Sequence, residues 1–96
     1  MKTEHTPGEW HAHDGQIYPI ETGKTLALIP YFNKDDKEHQ ANAQLIAAAP
    51  ELLEALKEVA AFEKRGADKG EPRIGTGIMS IINAAIRKAT KVKGNY

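Results

Sequence analysis

The stretch from Glu38 to Lys64, EHQANAQLIAAAPELLEALKEVAAFEK, constrains this chain more than any other. Apolar residues recur in steps of three and four: Ala41, Leu45, Ala48 or Ala49, Leu52, Leu56, Val59, and Phe62 or Glu63. That spacing is the continuous apolar stripe of an amphipathic helix. Pro50 sits in its middle. A proline there removes a backbone donor and clashes with the carbonyl four residues back. Yet the stripe keeps its phase across it. The pattern therefore predicts one of two things. Either one helix is kinked at Ala47–Ala49, or two helices run in near-continuation with Pro50 at the first position of the second. The alanines at 47, 48 and 49 permit close backbone approach. Asp35 or Asp36 can cap the start, and Glu38 follows Asp35 at capping-box spacing.

What precedes this stretch reads as a small sheet. Thr6-Pro7-Gly8 is a turn signal. From Glu9 to His13, Trp10 and Ala12 alternate with Glu9, His11 and His13, the two-residue period of a half-buried strand. Asp14-Gly15 accepts the positive φ angles of a tight hairpin turn. Gln16 to Ile20 is the partner strand, with Ile17 pointing inward and Pro19 marking an edge strand or a strand's end. After a second turn at Glu21–Lys24, Thr25 to Tyr31 makes a third strand. Downstream, Gly66 to Pro72 is a polar loop. A last helix begins near Gly77 with Thr76 as its cap, and Ile78, Ile81, Ile82, Ala85, Ile86, Ala89 and Val92 give it an apolar stripe. Lys88, Lys91 and Lys93 near its C-terminus suit the helix dipole. The expected fold is α+β. A three-stranded antiparallel meander spans about 9–31, a long helix kinked or broken at Pro50 spans 36–65, and a C-terminal helix at 77–93 packs antiparallel to it. All of this lies in one domain, 1–96.

Length and charge narrow the function. A chain of 96 residues buries only roughly 60–65% of its unfolded surface, so a core shared between copies is attractive. Thirteen basic residues balance thirteen acidic ones. A non-specific nucleic-acid binder or a membrane-surface protein is normally basic, so both are disfavoured as partners. The chain has no cysteine, hence no disulfide framework or thiolate nucleophile, which fits a reducing cytoplasm. Ser80 is its only serine. Serine and cysteine nucleophile chemistry is almost empty before geometry is considered. The first ten residues lack the apolar segment of a signal peptide. No apolar run reaches membrane-spanning length.

Candidate chemistry-bearing groups are few, and each has a bland counterpart. His11 and His13 share a strand face with Glu9. Two imidazoles and a carboxylate can bind zinc, but H-x-H without a fourth ligand nearby reads equally as a solvated face, and no metal is expected. His5 and His39 read as surface residues. Arg73-Ile74-Gly75-Thr76-Gly77 before a helix can form a backbone nest for a phosphate, or be a flexible loop and an ordinary helix start. Arg65, Arg73 and Arg87 are the only arginines, either phosphate ligands or solvated charges. Glu51, Glu54, Glu58 and Glu63 read as a solvated helix face. Asn42 is either solvent-facing or a recognition amide. Tyr31 and Phe32 either stack on a base or fill core at the end of a strand.

Two stretches together resemble a family. Thr6-Pro7-Gly8-x-Trp10 and Asn42-Ala43-x-Leu45-Ile46-Ala47-Ala48-Ala49-Pro50-Glu51-Leu52-Leu53-Glu54-Ala55-Leu56 look like the hallmark of small proteins scattered through bacteriophage and prophage genomes. The resemblance covers about residues 5–60. Glu9 stands where proline is usual, and beyond residue 65 only the general character is shared. The layout is similar to phage Thoeris anti-defence proteins, sponges that bind cyclic nucleotide immune signals without cleaving them and assemble as oligomers. That resemblance implies Phe32 and Asn42 as nucleotide contacts near the start of the long helix. It implies Arg65, Arg73 and Arg87 from neighbouring subunits as phosphate holders.

The expectation is therefore a homo-oligomeric, non-enzymatic binder of a cyclic nucleotide or cyclic ADP-ribose-type molecule. It needs no cofactor and acts in the host cell cytoplasm. The alternative is an inhibitor or adaptor that acts on a host protein through its helical hairpin. A nucleic-acid accessory role rests only on Lys88, Lys91 and Lys93.

Overall fold

A computed structural model of the chain describes residues 5–91. The fold is α+β, a three-stranded antiparallel sheet followed by three helices. By internal contacts the chain divides into two compact units, Met1–Leu52 and Leu53–Tyr96.

In the first unit, β1 (Trp10–His13) pairs antiparallel with β2 (Gln16–Pro19), Ala12 facing Ile17 and His13 facing Gln16. The two connecting residues, Asp14 at φ 52° and Gly15 at φ 82°, are both left-handed, as a type I′ hairpin turn requires. Trp10 and Ala12 are half-buried while His11 and His13 are exposed, so the alternation read from the sequence holds. The Trp10 indole N–H donates to the Thr6 carbonyl at 3.1 Å. Gly8, at φ 91°, turns the chain between them. This is the physical content of the Thr6-Pro7-Gly8-x-Trp10 motif.

The third strand is shorter than expected. β3 is Ala27–Leu28, paired to β2 with Ile17 facing Ala27. Single backbone bonds flank it, from Leu26 N–H to the Ile17 carbonyl and from Ile29 N–H to the Gly15 carbonyl. Both β3 residues are exposed, so no buried face demands a longer pairing. Pro30 supplies no donor, and Tyr31 leaves the extended region at φ 58°. Pro19 closes the central strand, β2, rather than an edge strand.

The helical stretch is two helices. α1 runs Lys37–Ala47 and α2 runs Ala49–Asp68, with Ala48 alone between them. Asp36 caps α1, its carboxylate accepting from Glu38 N–H at 2.9 Å and His39 N–H at 3.3 Å. Pro50 falls in the first turn of α2, where a missing N–H leaves no bond unmade. Leu52 N–H donates to the Ala48 carbonyl at 2.9 Å, the bond that opens α2.

α1 lies on β1 and β2. Its buried residues are Ala43 and Ala47, one turn apart, and Ile17 on β2 is fully buried. The expected stripe through Ala41 and Leu45 is therefore out of phase. Leu45 is 63% exposed, and the small side chains face the sheet because only they allow the helix backbone so close.

In the second unit the buried residues are Leu53 and Glu63, both on α2. α3 runs Thr76–Thr90 with Gly75, not Thr76, at the cap position. Met79, Ile82, Ile86 and Thr90 form a half-buried line along α3, while Ile78 and Ile81 are exposed. Arg87 and Lys88 occupy its last turn. Val92 and Lys93, assigned to this helix from the sequence, lie outside the described residues. Among the described residues no helix is long and apolar enough to cross a membrane.

This burial pattern yields a stability prediction. Ile17→Ala removes the one fully buried large side chain among the described residues and is expected to lower unfolding free energy by about 2–5 kcal/mol. Leu28→Ala, at a position 69% exposed, should stay within about 0.5 kcal/mol of wild type. Urea unfolding followed by circular dichroism measures both.

Candidate functional site

The turn between β1 and β2, the segment after β3 and the first turns of α1 enclose a cleft in the first unit. Its volume is about 590 Å³, within the range of small-molecule sites. Its walls include Gly15, Phe32, Lys34, Lys37, Gln40 and Gln44, with His13 and Asp14 at the hairpin end.

Each wall residue is placed by local structure. Phe32 is half-buried and packs directly on Gly15: a Cβ built at Gly15 would lie 2.7 Å from Phe32 Cβ and 2.8 Å from Cγ. Glycine is required there twice over, for the positive φ and for the ring above it. Beyond Phe32, the Asp35 N–H donates to Asn33 Oδ1 at 2.9 Å and the Asp36 N–H to the Asn33 carbonyl at 3.0 Å. Those bonds shape the loop that carries Lys34. The Gln40 amide donates to the Lys34 carbonyl. His39, expected at the surface, is half-buried. Its Nδ1 accepts from Asn33 N–H at 2.9 Å, and its ring lies 6.1 Å from that of Phe32. With Nδ1 accepting, a neutral His39 carries its proton on Nε2.

The lining carries two lysines against one aspartate, so the cleft favours an anion. The Phe32 ring offers a stacking face. Gln40 and Gln44 sit one turn apart on α1 and supply donors and acceptors together. A phosphate-bearing molecule with a planar ring finds a partner for each of its parts.

Of the five residues nominated as ligand contacts, Phe32 lines this cleft. Asn42 is exposed on α1, and Gln40 and Gln44 are the amides at the cleft wall. Arg65, Arg73 and Arg87 all lie in the second unit. Arg65 is exposed near the C-terminal end of α2, and Arg87 borders a hollow with Ala84, Lys88 and Lys91 at the end of α3. Arg73 borders a separate hollow with Glu63, Pro72 and Thr76, its guanidinium 5.5 Å from the centre of the Phe62 ring. Arg73 and Arg87 thus border different hollows.

Glu63 answers the question of the Arg73–Gly77 nest. Its carboxylate accepts from Arg73 N–H at 2.8 Å and Ile74 N–H at 2.9 Å. The chain's own anion occupies those donors, so a phosphate would have to displace a buried carboxylate. Read from the sequence, position 63 is an alternative end of the apolar stripe and Glu63 is also counted with the solvated acidic face; here it is 7% exposed, in line with the stripe. The signal that could have found it is its phase, since Glu63 falls seven residues after half-buried Leu56, on the same side of the helix.

The histidine face does not gather metal ligands. His11 tilts against Tyr18 with ring centres 6.0 Å apart, and His13 borders the cleft. Among the described residues no group of three His, Asp or Glu side chains is placed to hold a metal ion.

A family model described as Salmonella phage P22 protein Y8K6 matches residues 1–95. No curated protein and no solved structure matches the chain.

The Gly15–Phe32 contact is directly testable. Gly15→Ala should destabilise by about 1–3 kcal/mol, from left-handed strain together with the clash on Phe32. Adding Phe32→Gly, which removes the Cβ at 2.7 Å as well as the ring, should relieve the clash and leave the strain, giving a favourable coupling in a double-mutant cycle, whereas Phe32→Ala keeps the Cβ and should recover less.

Proposed function

We propose a function from one premise: the chain belongs to the Salmonella phage P22 protein Y8K6 family. In this reading it is a phage-encoded anti-defence protein of the host cytoplasm. It binds and sequesters a cyclic nucleotide or cyclic ADP-ribose-type immune signal and does not cleave it.

One observation carries the reading. Phe32, Lys34, Lys37, Gln40 and Gln44 converge on one cleft of the size a small ligand needs. Base–aromatic stacking, a lysine-held phosphate and amide contacts to a base edge are the three parts of nucleotide recognition. Sequestration rather than turnover fits the nucleophile inventory. The chain lacks cysteine, and its one serine, Ser80, lies on α3 rather than at the cleft. Asn42, Arg65, Arg73 and Arg87 enter this reading as outer contacts, with the arginines supplied by other copies.

The exposed apolar side chains of the second unit support assembly with such copies. Val59, Phe62, Ile78 and Ile81 are all exposed. From Ile74 to Ile86 the chain carries no charge, so a second copy meets no like charge on this part of α3. The alternative reading, an adaptor acting on a host protein, places that host protein on the same side chains. It expects a monomer in solution and no affinity for nucleotides.

The test is calorimetric titration of purified protein with cyclic dinucleotides, cyclic trinucleotides and cyclic ADP-ribose isomers, followed by chromatography of the recovered ligand and native mass measurement. The expected result is binding of at least one class, intact recovery and a mass above the monomer's. Phe32→Ala should weaken binding by roughly tenfold or more. Lys34→Glu with Lys37→Glu should abolish it. Folded protein that binds none of the panel at roughly micromolar concentrations rejects the function.

A further inference from the structure

We propose that Tyr31 is a ligand-binding residue whose ring closes over a planar base resting on Phe32. The inference builds on the cleft reading above and assigns a residue that reading leaves unused.

Tyr31 is unusual in two respects at once. Its φ is 58°, in the left-handed region that a bulky residue rarely enters. Its side chain is 95% exposed. A tyrosine kept for packing would be covered, and this one touches almost nothing. A residue kept only to turn the chain would better be glycine, which adopts this φ without steric penalty. Neither the core nor the turn accounts for an aromatic at position 31.

Position supplies the account. Strained backbone collects where ligands are held. Among the described residues, two that are not glycine have positive φ, Asp14 and Tyr31. Asp14 lines the cleft, its φ set by the hairpin turn, which leaves Tyr31 as the residue no regular turn explains. Tyr31 directly precedes Phe32, which lines the cleft too, and adjacent Cα atoms lie about 3.8 Å apart. Tyr31 itself does not line the cleft, so its ring meets a base stacked on Phe32 by swinging in from the adjoining position. The occupant this fits is a purine- or pyrimidine-bearing anion, its base between two rings and its phosphate toward Lys34 and Lys37. One base–aromatic stack is worth roughly 5- to 150-fold in affinity.

The test compares wild type, Tyr31→Gly, Tyr31→Phe and Phe32→Ala by calorimetric titration with the same cyclic dinucleotides, cyclic trinucleotides and cyclic ADP-ribose isomers, and by thermal unfolding without ligand. Tyr31→Gly is expected to lose at least roughly fivefold in affinity, while its Tm holds or rises because the left-handed strain is relieved. Tyr31→Phe should bind as wild type does, since stacking needs the ring and not the hydroxyl. Wild-type affinity in Tyr31→Gly, beside a weakened Phe32→Ala, overturns this inference and leaves the cleft reading standing. So does a fall in the Tm of Tyr31→Gly, which would make Tyr31 a structural residue. Failure of the folded wild-type protein to bind any of the panel overturns both.

Discussion

The close seating of α1 on the β1–β2 hairpin is the constraint on which the first unit depends. Ala43 and Ala47 are the buried residues of that helix, and Ile17 is the fully buried residue beneath it. Alanine side chains let a helix backbone approach a sheet more closely than leucine would, and the hairpin turn is drawn alongside the helix start. The cleft is the space left where the two elements diverge. Its walls come from the turn, from the entry to α1 and from the first turns of α1. The site is thus a by-product of packing between small side chains, and its rigidity comes from elements that are themselves held by Ile17.

Much of this was legible, for reasons that can be named. Asp14-Gly15 announces its turn because few dipeptides accept two left-handed residues in succession. The alternation from Trp10 to His13 announces its strand because one face must be dry. Pro50 announces a helix boundary because its missing donor is harmless only in a first turn. What misled was apolar size. Leu45 and Leu52 are large and helical in spacing, and they were placed inward; they are 63% and 49% exposed. The helix selects alanine for contact because distance, not hydrophobicity alone, decides which face fits. The third strand was overread for a related reason. Thr25 to Tyr31 has strand composition, but β3 is exposed and held by one neighbour only.

The candidate site was legible in part. Phe32 could be nominated because an aromatic before a helix entry is a natural platform. Gln40 and Gln44 could not, since nothing local distinguishes a glutamine facing a cleft from one facing water. Glu63 shows the limit most clearly. Its partners, Arg73 N–H and Ile74 N–H, lie ten and eleven residues onward, and backbone donors leave no trace in a sequence. A carboxylate at a core phase of a helix is the one hint available, and it says only that some donor must come to meet it.

Glu63 also separates two kinds of anion site in one chain. At the entry to α3, two of the amides that might cradle a phosphate, those of Arg73 and Ile74, are already satisfied by a carboxylate from α2. Filling them internally fixes the loop to the helix and removes the site from competition for ligands. In the cleft the opposite arrangement holds. Lys34 and Lys37 line it with one aspartate between them in number, and no salt bridge joins either lysine to an acid among the described residues. An ammonium without a fixed carboxylate partner keeps its charge available to an incoming phosphate. The left-handed residues that are not glycine lie in the same unit as the cleft: Asp14 lines it and Tyr31 precedes Phe32, which does. A chain that needed both places only for stability has no reason to satisfy one anion site and leave the other open, with left-handed side chains beside it. The contrast is one of satisfied against available charge: two amides at the α3 entry are bonded to Glu63, and the cleft's lysines have no fixed acid partner among the described residues.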